Sequence, residues 1–219
     1  MCRHGTTTWN LAKKWQGQQD TELAPEGIRQ AEETGRLLAS KIASKTPKIF
    51  TSDLKRAKRT AELYAAAMAT TAGSSTPTEV EVEERLREPS LGKFEGMVKG
   101  DIYSQHAELF RTLASLSPQE RLHKAYFEGL ETPSETSLRV EALAAEVFEA
   151  SEDGDVVLFV THSKVLEAVL AKVFGKFYEG VHTSPGAFFV WNYSETKSGS
   201  LGDLGELHQI ECHDYQVEQ

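Results

Sequence analysis

The sequence predicts an α/β protein, a three-layer αβα arrangement around a mostly parallel central sheet. Helix-period segments alternate with strand-like ones along the chain, and such alternation builds parallel sheets covered by helices. "DVVLFVT" (155–161) is a continuous apolar run, the pattern of a strand buried on both faces. With 219 residues, 39% of them hydrophobic and 26% charged, the chain can bury one substantial core. A single domain over 1–219 is expected, with a less regular stretch at about 93–135 inserted as a lid.

The first strand has the least chain to build it. Only Met1 and Cys2 precede Arg3, His4 and Gly5, so this strand is expected to be truncated and to leave His4 on a frayed mount. "APEGIRQAEETGRLLASKI" has Pro25 near its start and Ile28, Ala31, Leu37, Leu38 and Ile42 at helical spacing. "KIFT" (48–51) reads as a short strand. "DLKRAKRTAELYAAAMA" follows as a helix, with Ser52 or Asp53 expected at its N-cap. "TAGSSTPT" is a loop by composition, and "EVEVEERL" (79–86) alternates as a half-exposed strand does. Helical pieces over 98–116 and 117–127 are separated by Ser117 and Pro118. A helix over 137–150 leads to the buried strand, and "KVLEAVLAKVF" to another helix. "AFFVWNY" and "ELHQIEC" read as further strands.

Composition excludes several function classes. The net charge is −9 and the pI near 5.3, so no basic excess exists to neutralise a nucleic-acid backbone. No apolar run reaches membrane-spanning length, and no basic region followed by an apolar stretch marks a signal peptide. Cys2 and Cys212 form no disulfide framework and no metal-type spacing, which fits a reducing, cytoplasmic setting. A few arginines focused in one pocket still bind a small anion inside an acidic protein.

In a parallel sheet, ligands bind at the carboxyl ends of the strands. The polar residues standing there are Arg3 and His4 after the first strand and Arg56 one turn into the helix after "KIFT". Glu88 follows the third strand, and His162 follows "VVLFVT". This set suits phosphoryl transfer through a histidine. A neutral imidazole is a competent nucleophile near neutral pH, and guanidinium groups match phosphate oxygens bidentately. A second histidine donates to developing charge, and a carboxylic acid protonates the leaving oxygen. No metal or other cofactor is called for, because the arginines supply the positive charge.

These residues sit in blocks that together resemble the histidine phosphatase superfamily, also called the phosphoglycerate mutase-like family. The blocks are "RHGTTTWN", "QGQQDTELAPEGIRQAEETG", "TSDLKRAKRTAE", "LREPSLGKFEGM", "ETPSETSLRV" and "VTHSKVLEAVL", in the family's order over nearly the full length. One Arg-His-Gly triplet is a weak signal; six ordered blocks are a strong one. The resemblance implies that His4 becomes phosphohistidine, that Arg3, Arg56 and His162 hold the phosphoryl group, and that Asn10 adds a polar contact. It implies Glu88 as the proton donor, with Glu95 the fallback. Gly5 is read as the place where the backbone turns closely around the ligand. Ser163 stands where relatives usually have glycine, and Glu135 matches an acidic position of the family with an altered neighbour.

Trp9 and Trp15 are expected to pack under the active-site loop. The remaining histidines, His106, His123, His182, His208 and His213, read as surface or supporting residues. The expected activity is hydrolysis of a small phosphorylated metabolite. A cofactor-dependent phosphoglycerate mutase is the alternative. Mutases of that type carry a basic-aromatic pair after the acid and a longer arginine-containing insert, whereas this chain reads "EPSLG" and has only Lys99, Arg111, Arg121 and Lys124 in its insert. A weakly catalytic, phosphoprotein-binding or interaction protein on the same fold is the third reading. Oligomeric state is not legible in the sequence.

Overall fold

A computed structural model describes residues 1–42, 46–174 and 183–187. The described strands are β1 (Cys2–Arg3), β2 (Lys48–Thr51), β3 (Val80–Val82) and β4 (Val157–Thr161). They form one parallel sheet in the order β1-β4-β2-β3. The helices, in chain order, are α1 (Thr8–Leu11), α2 (Pro25–Lys41), α3 (Lys55–Thr71), α4 (Lys99–Gln105), α5 (Ala107–Ser115), α6 (Pro118–Leu122), α7 (Pro133–Glu149) and α8 (Ser163–Phe174). None of the described helices is long and apolar enough to cross a membrane. The segments read as strands at 188–193 and 206–212 lie outside the described residues, as do His182, His208 and His213.

The three layers follow from β4. Four of its five residues are buried, so both faces need a cover. On one side Leu158 and Val160 pack with Ala57, Ala61 and Tyr64 of α3 and with Ala31 and Leu38 of α2. On the other, Phe159 packs with Val140, Leu143 and Val147 of α7 and with Val165, Leu166 and Val169 of α8. A third cluster gathers around Trp15, with Leu91, Phe94 and Ile102 buried and Phe110 and Phe127 packed against them. Trp15 therefore anchors α4 and α5, while Trp9 lies half-buried against Gly96.

Several expectations need correction. α3 begins one or two residues later than the expected Ser52 or Asp53 cap allows, with Leu54 as its N-cap and no side-chain cap of its own. Ser52 instead accepts the Leu54 N–H, and Asp20 reaches in from a distant loop to accept the Lys55 N–H at 2.8 Å. The alternating run at 79–86 is strand only to Val82, because Glu84–Leu86 closes as a 3₁₀ turn. The helix expected over 98–116 breaks at His106 into α4 and α5, and His106 packs its ring against Phe94 and Phe127. Glu135 closes a capping box with Thr132 at the start of α7 and is exposed.

The mount of His4 is also firmer than a two-residue strand suggests. The His4 N–H donates to Thr161 O at 3.0 Å, the Arg3 N–H donates to Ala187 O at 2.8 Å, and the Gly186 N–H donates to His4 O at 3.2 Å. The backbone at 3–4 is thus hydrogen-bonded on both sides, to β4 and to the 186–187 segment.

Gly5 has a reason in the packing of the backbone itself. A Cβ there would stand 2.6 Å from the carbonyl oxygen of Gly27, at the start of α2. A Cβ on Gly27 would in turn stand 2.0 Å from Thr6 O. Two backbones meet where side chains do not fit, and the loop after His4 is pressed onto α2. Gly27→Ala gains up to about 1 kcal/mol of helix propensity. Overpacking against backbone typically costs about 1–3 kcal/mol, occasionally more, and backbone has no rotamer to yield. Thermal unfolding should show a lower Tm for Gly27→Ala. An equal or higher Tm would mean that this contact is not tight.

Candidate active site

His4 is buried at the end of β1, 2% exposed. Its Nδ1 lies 2.7 Å from Gly5 O, and its Nε2 lies 3.3 Å from Arg56 Nε. A carbonyl only accepts and a guanidinium only donates. These two contacts assign the tautomer: Nδ1 carries the proton and Nε2 presents its lone pair. Burial, then the charges of Arg56 and Arg3, hold the His4 pKa well below 6.5, against the Gly5 hydrogen bond. The imidazole is therefore neutral at physiological pH.

The loop beyond His4 is fixed by side chains that the sequence reading did not single out. Thr60 of α3 accepts the Gly5 N–H at 3.1 Å, and Gln30 of α2 accepts the Thr6 N–H at 3.0 Å. Their partners lie 55 and 24 residues away, so no local pattern announces them. Asn10 serves the loop as well. Its Oδ1 accepts from the Thr7 N–H and the Thr7 hydroxyl, closing a capping box at α1. Its amide nitrogen is the group left for a ligand.

Arg56 is 1% exposed and donates from Nη1 to Gln19 O at 2.8 Å and from Nη2 to Gly17 O at 2.7 Å. Two of its five N–H groups remain. Burial lowers its pKa to about 10, leaving it charged at neutral pH. The turn that holds it needs Gly17, at φ 52°, where a Cβ would stand 2.2 Å from Glu95 Oε1. That oxygen accepts the N–H groups of Gln18 at 3.0 Å and Leu91 at 2.9 Å. Glu95, the fallback acid, is thus a brace for the turn that carries Arg56.

Glu88 is 8% exposed, and its carboxylate accepts the Lys164 N–H at 3.2 Å, at the start of α8. Burial pushes its pKa up, against the pull of Arg56, Lys164 and Arg3. A carboxyl raised in this way suits a proton donor. Its loop is tied down repeatedly. Arg87 forms a bidentate pair with Asp53, and Arg139 of α7 donates to the carbonyls of Arg85 and Arg87. The Thr161 hydroxyl donates to Leu86 O at 2.7 Å.

His162 is fully buried, its ring centroid 5.2 Å from that of His4. Neither ring nitrogen has a hydrogen-bond partner among the described residues, and neither has Arg3 Nε. Arg3 donates from Nη1 to Thr183 O. Burial, then the neighbouring Arg56, with His4 and Arg3 beside it, hold the His162 pKa well below 6.5. Leaving a buried donor or acceptor unmade costs about 1–3 kcal/mol each; Arg3 Nε and the one N–H of a neutral His162 are free donors among the described residues. Half-buried Lys99 adds charge from the insert. Burial, then Arg3 and Lys164, hold its ammonium below its usual value. Ser163, in the position where glycine was noted as usual, adds a hydroxyl 2.7 Å from the Thr183 hydroxyl. Among the described residues, no three His, Cys, Asp or Glu side chains are grouped as a metal would need.

A family model described as the histidine phosphatase superfamily (branch 1) matches residues 1–196. A probable phosphoglycerate mutase GpmB from Salmonella paratyphi C is 30% identical over 175 residues, covering 80% of this chain and 74% of that protein. A mycobacterial glucosyl-3-phosphoglycerate phosphatase, solved with VO3, is similar at 28% identity, with a TM-score of 0.62 and 79% of each chain covered. Bacillus stearothermophilus YhfR superimposes with a TM-score of 0.70 at 25% identity, over 93% of this chain and 95% of its own.

The two depressed histidines link stability to pH. Their folded values lie below the unfolded value of 6.5, so below that pH the unfolded chain binds protons that the native site refuses. Stability is full above about pH 6.5 and falls as pH drops, by up to about 1.4 kcal/mol per pH unit for each histidine. Glu88 acts oppositely. Its raised carboxyl adds stability that is full below the unfolded value of 4.5 and is lost as pH rises through the folded one. Urea unfolding of the free protein from pH 7.5 to 5.5 should show a falling midpoint. The slope should flatten in the His4→Gln, His162→Gln double variant; parallel slopes would refute neutral burial.

Proposed function

We propose that this chain, which belongs to the histidine phosphatase superfamily, hydrolyses phosphomonoesters of small metabolites through a phosphohistidine formed on His4. One observation carries the reading. Around a His4 whose Nε2 lone pair is fixed by two contacts, the buried Arg3 Nε and both nitrogens of His162 have no hydrogen-bond partner among the described residues.

In this mechanism Nε2 attacks phosphorus, and the bond to the leaving oxygen breaks as Glu88 hands that oxygen its proton. Arg3, Arg56 and His162 hold the nonbridging oxygens, with Asn10 Nδ2 as a further donor. A water then attacks the phosphohistidine and gives its proton to the Glu88 carboxylate, the N–P bond breaks, and inorganic phosphate leaves. The charge that develops is met by groups already in place, which is where such sites gain most of their rate. Residues 93–135 serve as a lid, anchored through Trp15.

The relatives named as probable phosphoglycerate mutases support a second reading, in which the phosphoryl group returns to another hydroxyl. Release of inorganic phosphate, measured against isomerisation of phosphoglycerate, separates the two. His4→Ala should abolish turnover together with acid-labile labelling by a phosphorylated substrate. Glu88→Gln should slow alkyl esters far more than activated aryl esters, which hardly need protonation. Activity retained by His4→Ala would end this mechanism, and equal losses on both ester types would remove Glu88 from the acid's role.

A further inference from the structure

The carboxyl of Glu88 sits among cations. It accepts the backbone N–H of Lys164 at 3.2 Å, and that donor at the start of α8 favours a carboxylate. Arg56 from α3, Lys164 from α8 and Arg3 from β1 all pull it towards ionisation. Lys99 of α4 is within electrostatic reach of the same carboxyl. His4 and His162, both depressed, add no charge at neutral pH, and Arg87, the next residue back, is paired with Asp53. A proton donor placed here loses its proton unless something opposes these charges.

Burial opposes them, and so does one carboxylate, that of Glu167. Glu167 lies one turn along α8 from Lys164, on the same helix face. Both its oxygens are held: Oε2 lies 2.6 Å from Lys164 Nζ, and Oε1 accepts the Ser163 hydroxyl at 3.1 Å. The Tyr126 hydroxyl, 3.0 Å from Lys164 Nζ, holds the same ammonium from the insert. Lys164 thus gives Glu88 its backbone N–H while its side chain goes elsewhere. Among the described residues its ion pair is with Glu167 rather than with Glu88.

We infer that Glu167 is a positioning residue for the reaction: by holding the Lys164 ammonium off the Glu88 carboxyl, it lets Glu88 keep the proton that it gives to the leaving oxygen. This rests on the reading of Glu88 as the acid given above. Without the Glu167 charge, an unpaired ammonium remains on the residue whose N–H touches Glu88, and its attraction favours the carboxylate. Without the Lys164 charge, the Glu167 carboxylate is the unpaired one, and like-charge repulsion favours the protonated form.

The test is the pH dependence of kcat/KM, which reports the acid of the free protein, on methyl phosphate and on p-nitrophenyl phosphate. The ionisation of each substrate is common to all variants. Glu167→Gln keeps the size of the side chain and a carbonyl oxygen for its partners. On methyl phosphate it should move the basic limb to lower pH by about one unit, the low end of what a nearby charge does to a carboxyl. Lys164→Met, which keeps the backbone N–H, should move the limb to higher pH. The activated aryl ester, which hardly needs protonation, should change little in Glu167→Gln. Structural damage would lower both esters alike and would not shift the limb in opposite directions. A limb that either variant leaves in place, a limb that both move the same way, or equal losses on the two esters in Glu167→Gln would overturn the inference. Glu88→Gln separates the two readings. If it abolishes the limb while Glu167→Gln and Lys164→Met leave it in place, the inference alone fails. If the limb persists in Glu88→Gln, the acid's role fails and the inference with it.

Discussion

The hydrogen bond between His4 Nδ1 and the carbonyl of Gly5, at 2.7 Å, is the constraint on which this site depends. It puts the proton on Nδ1 and leaves Nε2 with a lone pair. The opposite tautomer would set a nitrogen lone pair against a carbonyl oxygen and an N–H against the Arg56 guanidinium, two repulsions in a buried place. The bond requires the chain to turn sharply after β1, and that turn is possible because Gly5 and Gly27 lack side chains where their backbones meet. Thr60 and Gln30 then hold the amides of Gly5 and Thr6.

Electrostatics act in the same direction. Two arginines and two histidines share a buried centre, and the cheapest arrangement keeps both imidazoles neutral. The carboxyl of Glu88 is pushed the other way by burial, towards its protonated form. One desolvated environment thus keeps the His4 imidazole neutral and raises the Glu88 carboxyl, while the arginines stay charged. The cost is visible in the nitrogens of His162 and in Arg3 Nε, which have no hydrogen-bond partner among the described residues. An oxygen anion bound there would accept from Arg3 Nε and from the one N–H of a neutral His162, and a ligand that binds only the folded chain stabilises it.

Much of this was legible in the sequence. The buried run 155–161 fixed the centre of the sheet, and the rule that ligands gather at strand ends drew attention to Arg3, His4, Arg56, Glu88 and His162. The structure brings these into electrostatic reach of one another. What was not legible is the support. Asp20 capping α3, Thr60 holding Gly5, Arg139 holding the Glu88 loop and Glu95 bracing the Arg56 turn all act across gaps of 35 to 77 residues. Such contacts leave no periodicity in the chain. Glu95 and Asn10 show the same limit from the other side, since residues read as chemical carry local structural bonds that only the fold reveals.

Nitrogen-15 NMR of the histidine rings in the ligand-free protein tests the central claim most directly, because it reports protonation at each ring nitrogen. The account requires His4 to show a protonated Nδ1 and a lone-pair Nε2, and to remain neutral as pH falls below the ordinary histidine value of about 6.5. A His4 ring protonated at Nε2 alone, or one that becomes imidazolium near that ordinary value, would contradict it.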